Sequence, residues 1–336
     1  MKVFITGATG YIGGQLAKRL VYDGHDVVAL CIESLDEVSG EGITWRPGDL
    51  ADKDFVVRSM KGCEVVFHCA ALARQWHPDP DAFFKINVTG TQNILDAAAT
   101  NRVKKLVVTS TAGVYGRSLS IPLTESDPRL EPFDNDYDLS KHYAEELVRE
   151  YVKNGHHAVM VNPSRVYGPG QSTTSNPFIK LIRDYIQKPY YLVPGKGEAI
   201  HSYTYVEDVA QGHLLAMEKG RPGENYLLGG ENASYNDLYA MLSRLTGLRR
   251  KKICVPEKMI HAFARCNMLW TGITGKDPLI TPSFARRIST SRMYNSEKAR
   301  QELGYCPTPL EEGLRRTLHA IGHKATAPEW AFEFLS

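Results

Sequence analysis

The junction at the start of the chain constrains its fold more than any other feature. A buried-type run, Val3-Phe4-Ile5, breaks into Thr6-Gly7-Ala8-Thr9-Gly10-Tyr11-Ile12-Gly13-Gly14 and then into a segment with Ile12, Leu16 and Leu20 on one helical stripe. Glycines at 7, 10 and 13 allow a tight turn, a close approach of the backbone to a pyrophosphate, and close packing of the helix on the strand. The free N–H groups of the helix amino terminus favour an anion at the same point. Gly7, Thr9, Gly10, Tyr11, Ile12 and Gly13 are therefore the expected contacts to a dinucleotide.

Short β-branched runs alternate with helix-period segments through the first half, the pattern of parallel strands joined by crossover helices. Strands are expected at 2–6, 26–31, 43–46, 65–68, 105–109 and 158–162, and helices at 11–21, 81–100, 137–153, 206–219 and 235–246. The expected fold is α/β. A Rossmann-type doubly wound parallel sheet spans 1–165, with segments near 200–230 returning to it, and a smaller α/β substrate lobe spans 166–336. That lobe would lie over the carboxyl edge of the sheet, where open α/β folds bind ligands. A chain of 336 residues, 43% apolar and 23% charged, is long enough to build both.

Composition narrows the partners. Net charge is +2 with both signs interspersed, and Arg249, Arg250, Lys251 and Lys252 make only a local cluster, so nucleic acid is not an expected partner. The six cysteines (31, 63, 69, 254, 266, 306) have no metal-ligand spacing and are expected to be reduced, with no metal bound. No apolar run approaches the roughly 18 residues of a membrane span. With no leader before the strand at Lys2, the expected location is cytoplasmic.

At the end of the second strand an acid usually holds the adenosine ribose of NAD, or an arginine the 2′-phosphate of NADP. Cys31 and Ile32 occupy the nearest positions, and Glu33, Asp36 and Glu37 follow with no base beside them. Such carboxylates repel a 2′-phosphate, so NAD is expected and NADP stays open. Asp49 and Leu50 are placed to flank the adenine; the other reading of Asp49 is a helix cap. Further on, Tyr137 and Lys141 stand at i and i+4 on one helix face. An ammonium within ~4–6 Å of a phenol favours its ionised form. The fifth strand ends in Thr109-Ser110-Thr111, which puts hydroxyls where a substrate oxygen needs a donor.

These residues carry a resemblance. Thr6-Gly-Ala-Thr-Gly-Tyr-Ile-Gly13, His68-Cys-Ala-Ala71, Asn87-Val-Thr-Gly-Thr91, Thr109-Ser-Thr-Ala-Gly-Val-Tyr-Gly116, Tyr137-x-x-x-Lys141 and Asn162-Pro-Ser-Arg-Val-Tyr-Gly-Pro169 occur in the order of the extended short-chain dehydrogenase/reductases. This is the NAD-dependent epimerase/dehydratase superfamily, and Tyr205-Val-Glu-Asp-Val-Ala210 and Lys298-Ala-x-x-x-Leu-Gly-Tyr305 resemble its later landmarks. The resemblance implies that Thr111 stands beside the substrate oxygen with Ser110 next to it, that Tyr137 is the acid/base, and that Lys141 orients the ribose and lowers the phenol pKa. It further implies that Cys69, Ala70, Ala71 and Thr109 line the cofactor, that Pro163 and Ser164 approach the nicotinamide, and that Asn87 supports the main chain nearby. The helices at 81–100 and 137–153 resemble those that pair in family homodimers.

Arg165 stands where nucleotide-sugar epimerases and dehydratases of the family usually carry Asn, and the acidic pair of the dehydratases is missing. The later motifs look closer to the dihydroflavonol-reductase-like branch, with its hopanoid-associated sugar-epimerase-like members and its likeness to 3β-hydroxysteroid dehydrogenases. The leading reading is an NAD(P)-dependent oxidoreductase that interconverts a secondary alcohol and a ketone on a small organic substrate. A sugar epimerase with a transient keto intermediate and a non-catalytic cofactor-binding protein are the alternatives. Arg74, Arg165, Tyr167, His201 and Tyr203 are candidates to touch the substrate. The apolar stretch Ile260 to Trp270 reads as a packed helix, as an apolar wall or lid, or as a weak membrane-surface contact.

Overall fold

The β-branched runs of the first half form β1 (Lys2–Thr6), β2 (Asp26–Cys31), β3 (Ile43–Pro47), β4 (Val65–His68), β5 (Lys105–Thr109) and β6 (Ala158–Pro163). All pair in parallel, for example Ile5 with Ala29 on one side and with Phe67 on the other. Both faces of β4 and β6 are buried, which is why these runs read as continuous apolar stretches instead of alternating ones. Three strands then leave this sheet: β7 (Arg165–Tyr167), β8 (Tyr190–Pro194) and β9 (Ile200–Tyr205). The chain returns with β10 (Asn225–Leu228), which pairs with β6 and completes the order β10-β6-β5-β4-β1-β2-β3. The computed structural model describes residues 1–38, 40–170 and 177–323; the parts of the expected second lobe at 171–176 and 324–336 lie outside the described residues.

Helices cover both faces of the sheet. On one face α1 (Tyr11–Tyr22) buries Leu16, Ala17 and Leu20. On the other, α2 (Lys53–Ser59) is capped by Asp52, whose side chain accepts the Phe55 N–H. Asp49 does not cap that helix; its carboxylate accepts the Ala51 N–H at 2.9 Å. The helix expected over 81–100 is divided into α3 (Asp81–Phe84), a π turn at Lys85–Thr89 and α4 (Gly90–Thr100). The π turn carries Asn87, which is fully buried. Next, α5 (Asp136–Lys153) starts from Asn135, whose side chain accepts the Asp138 N–H at 2.7 Å.

Beyond β6, α6 (Phe178–Gln187) belongs to the second lobe, whereas α7 (Val206–Lys219) packs on α1 against the large sheet. Strands β11 (Glu231–Ser234), β9 and β7 form a three-stranded sheet, and β12 (Lys251–Val255) pairs with β8. The remaining helices are α8 (Tyr235–Thr246), α9 (Glu257–Thr274), α10 (Pro282–Ser289), α11 (Glu297–Leu303) and α12 (Leu310–Ala320). Tyr167, Phe178, Tyr203, Tyr239 and Leu314 belong to a separate aromatic core here.

The glycine turn is held by sterics. Gly7 has φ +73°, and a Cβ there would sit 2.7 Å from the Ala70 nitrogen after β4. A Cβ on Gly13 would come within 2.1 Å of the Gly7 carbonyl oxygen. Helix α1 therefore approaches its own strand closely enough that only hydrogen fits. Gly13→Ala is expected to cost about 1–3 kcal/mol through overpacking. Urea denaturation checks this, and an unchanged midpoint would contradict the contact.

Candidate active site

The carboxyl ends of the central strands and the second lobe enclose a cavity of about 1340 Å³. This exceeds the ~300–1,000 Å³ of ordinary small-molecule pockets and leaves room for a dinucleotide and a second ligand together. One end is the glycine turn, with Gly7, Thr9, Gly10, Tyr11, Ile12 and Gly13 on its wall. Gly10 is the amino-terminal cap of α1 and has no side chain to occupy the free N–H groups. Glu33, Asp49 and Leu50 line the same end, and one carboxylate oxygen of Glu33 is buried with no partner among the described residues. A ribose hydroxyl would satisfy it. Open helix N–H groups, a cradle that a Cβ would fill and an orphaned carboxylate oxygen together suit a nicotinamide dinucleotide.

Midway along the cavity Cys69, Ala70, Ala71, Thr109, Ser110, Thr111, Tyr137, Pro163 and Ser164 form the wall. A hydrogen-bonded chain behind it joins the glycine turn to α5. The Thr91 hydroxyl donates to the Asn87 carbonyl at 2.6 Å, so its oxygen accepts from His68 Nε2 at 3.0 Å. His68 Nδ1 then accepts the Thr6 hydroxyl at 2.8 Å. Asn87 donates to Ser140 Oγ at 2.9 Å, and Ser140 donates to the Tyr137 carbonyl at 2.8 Å. Burial, with the Lys141 charge nearby, pushes His68 down to about 3 and keeps it neutral. A second set fixes Thr111: Asn162 Nδ2 donates to its carbonyl at 3.2 Å and to buried Glu145 of α5 at 2.7 Å.

Burial, with Asp138 adding to it, pushes the pKa of the Tyr137 phenol up to about 12, although the Thr111 side chain favours its ionised form. Arg287 acts in the opposite direction. This arginine comes from α10, pairs with fully buried Asp138 at 3.1 Å and lines the cavity. Sequence reasoning missed it: 149 positions separate the partners, and α10 carries no motif. Lys141 is 1% exposed and lies behind the cavity wall. Burial pushes it down to about 8, against the opposing pull of Glu145 and Cys69.

The candidate substrate contacts divide. Arg165 and His201 line the cavity. Tyr167 and Tyr203 do not: both are packed in the aromatic core of the second lobe, and the Tyr167 hydroxyl donates to the Leu310 carbonyl. Arg74 does not reach the cavity wall either; it is half-exposed and lies 4.0 Å from Asp277. Helix α9 is only partly packed, since Met259, Ile260 and Phe263 line the cavity while Leu269, Trp270 and Ile273 are exposed. No group of metal-ligating side chains occurs among the described residues.

Residues 3–229 match the model of the NAD dependent epimerase/dehydratase family. The chain is 32% identical to a Synechocystis sp. protein provisionally named a dihydroflavonol 4-reductase, over 94% of this chain and 93% of that one. It is 29% identical to a 2-alkyl-3-oxoalkanoate reductase of Stenotrophomonas maltophilia, over 94% and 98%. Among solved structures, MoeE5 in complex with UDP-glucuronic acid and NAD is similar with a TM-score of 0.76 at 26% identity, covering 96% of this chain and 99% of the other.

The buried histidines make stability depend on pH. His68 is held at about 3, and His213, buried against Thr109, at about 4. The unfolded chain takes up these protons near pH 6.5, so their contribution is complete above that value. It is lost as the pH falls from 6.5 toward 4, by about 1.4 kcal/mol per unit for each histidine. Urea midpoints at pH 7, 6 and 5 are expected to fall steeply; a flat series would contradict neutral burial.

Proposed function

From the premise that this chain belongs to the NAD dependent epimerase/dehydratase family, we propose that it is an NAD-dependent oxidoreductase interconverting a secondary alcohol and a ketone on a largely apolar small molecule. The observation that carries the reading is that Tyr137 and Thr111 stand together on the wall of a cavity that begins at the glycine turn. When bound, the nicotinamide supplies or accepts the hydride. The α1 amino terminus and the turn at Gly7, Gly10 and Gly13 would hold the pyrophosphate of the dinucleotide and Glu33 its adenosine ribose, while Lys141, buried behind the wall, is the group the family resemblance assigns to the second ribose.

Thr111 and Tyr137 bind the substrate oxygen. Tyr137 donates its proton as a ketone becomes an alcohol and recovers it in the reverse direction. A phenol held at about 12 is fully protonated near neutrality, which suits it to the reductive direction without further tuning. Acting as a base near pH 8 it would need about 5 kcal/mol of added stabilisation of the phenolate. Lys141, at about 8, is the group in this set that titrates closest to neutrality.

The apolar character of the substrate rests on the second lobe, where Phe178, Leu181, Val193, Ile260, Phe263 and Phe284 face the cavity. The name of the Stenotrophomonas relative, a reductase of alkyl oxo acids, points the same way. No helix among the described residues is long and apolar enough to cross a membrane. A cytoplasmic homodimer paired through the helical segments 81–100 and 137–153 completes the reading, and Tyr143 is exposed on the second of them.

Tyr137→Phe is expected to lower kcat/KM for ketone reduction by about 10²–10⁴ while NADH affinity is kept. The assay follows stoichiometric loss of reduced nicotinamide absorbance with a panel of apolar ketones. For the wild-type protein, reduction should fall as the pH rises through about 8, where Lys141 loses its charge, and Lys141→Met should remove that limb. Full activity in Tyr137→Phe, or substrate inversion with no net cofactor turnover, would overturn the reading.

A further inference from the structure

Helix α9 is apolar on two opposite sides. Its inner side is satisfied: Ile260 and Ala264 are buried with Ala285 of α10, and Thr271 further along the helix is buried too. The outer side is not. At about 100° per residue, Met259, Phe263, Leu269, Trp270 and Ile273 fall within one sector about 120° wide, with only Ala262 and Cys266 between them. These large side chains are each between 54% and 80% exposed, and Leu279 just beyond the helix is exposed as well. Lys258 and Arg265 run together along one edge of the sector. Met259, Phe263 and, from β8, Leu192 are exposed and also line the cavity, so this face reaches an opening of the cavity.

The chain leading into α9 is basic. Between residues 249 and 277 it carries seven Lys and Arg (249, 250, 251, 252, 258, 265 and 276) against Glu257 and Asp277, a net charge of +5. The whole chain is +2, so everything outside this stretch is net −3. Strand β8 and helix α10, which pack on the stretch, add no acid. Arg250 and Lys252 bind amide oxygens, and Asp277 lies 4.0 Å from Arg74 of the other lobe. The positive charge is therefore concentrated beside the exposed apolar sector.

We propose that the outer face of α9 lies in the interfacial layer of a membrane that contains anionic lipids. Its large apolar side chains enter among the acyl chains, while Lys258, Arg265 and the basic run 249–252 meet the phosphates. A bilayer surface offers an anionic layer directly above an apolar one, and Trp270 suits the boundary between them. A second copy of the chain would match the apolar sector but would set +5 against +5. The helix lies flat and does not cross, in keeping with its length and hydropathy. Docked in this way, the opening at Leu192, Met259 and Phe263 faces the leaflet, so a molecule dissolved there reaches the cavity without crossing water. The docking does not depend on the oxidoreductase reading, and it is tested without turnover.

Co-sedimentation of the full chain with lipid vesicles is the test. Binding to vesicles of equal parts phosphatidylcholine and phosphatidylglycerol is expected to be at least tenfold stronger than to phosphatidylcholine alone, and Lys258→Gln with Arg265→Gln should shrink that preference. Leu269→Ser with Ile273→Ser, at exposed positions that leave the melting temperature unchanged, should weaken binding to both vesicles by at least tenfold. Lipids brominated on the acyl chain should quench tryptophan emission in the wild-type protein more than in Trp270→Phe. No binding to the anionic vesicles, binding without this acyl-chain quenching, or a Leu269→Ser, Ile273→Ser protein that binds like the wild type would each overturn the proposal. So would a wild-type dimer in sedimentation velocity that the same double variant splits, because a second copy would then cover the face.

Discussion

The site depends on the buried hydrogen-bond chain that runs from Thr6 through His68, Thr91, Asn87 and Ser140 to the Tyr137 carbonyl. It begins at the last residue of β1, where the glycine turn starts, and ends at the residue on α5 that faces the cavity. Each hydroxyl and ring nitrogen in it has a donor on one side and an acceptor on the other only if His68 is neutral. A protonated ring would present two donors, and the Thr6 end would lose its acceptor. Burial that drives His68 to about 3 therefore also maintains the register between cofactor turn and phenol. A half-satisfied buried network costs more than an apolar one, so this chain acts as a whole or not at all.

Charge is arranged with the same economy. Asp138, fully buried one residue after Tyr137, tends to hold the phenol protonated, and Arg287 from α10 offsets it. A Cβ on Gly113 would lie 2.2 Å from the Asp138 carboxylate, so the turn after Thr111 closes directly over this ion pair. Because Arg287 comes from α10, the segment that lines the far side of the cavity also sets the electrostatics of Tyr137.

Much of this was legible in the chain. The glycine turn and the six strands of the first half could be read because β-branched runs, tight turns and helix stripes are local signals. The helix at 81–100 was legible as a helix but not as a helix with a π turn, since one extra residue per turn leaves no compositional trace; that turn carries the buried Asn87. The sequence offered Arg165 and Tyr167, and His201 and Tyr203, as candidate substrate contacts. It could not show that the cavity reaches only the first members of these pairs while the aromatic core takes the second. Arg287 and Arg292 were invisible because their partners, Asp138 and Asp134, are distant in sequence and meet only when the second lobe folds over the sheet.

On the proposed function, the glycine-turn end of the cavity would hold a nicotinamide dinucleotide by its pyrophosphate and by Glu33. Fluorescence titration of NADH, and separately of NADPH, into the purified protein tests it without any substrate. Saturable NADH binding at one site per chain is expected, with NADPH binding weaker by about tenfold or more, the equivalent of ~1.4 kcal/mol for a 2′-phosphate facing a carboxylate. Failure of both dinucleotides to bind would contradict it.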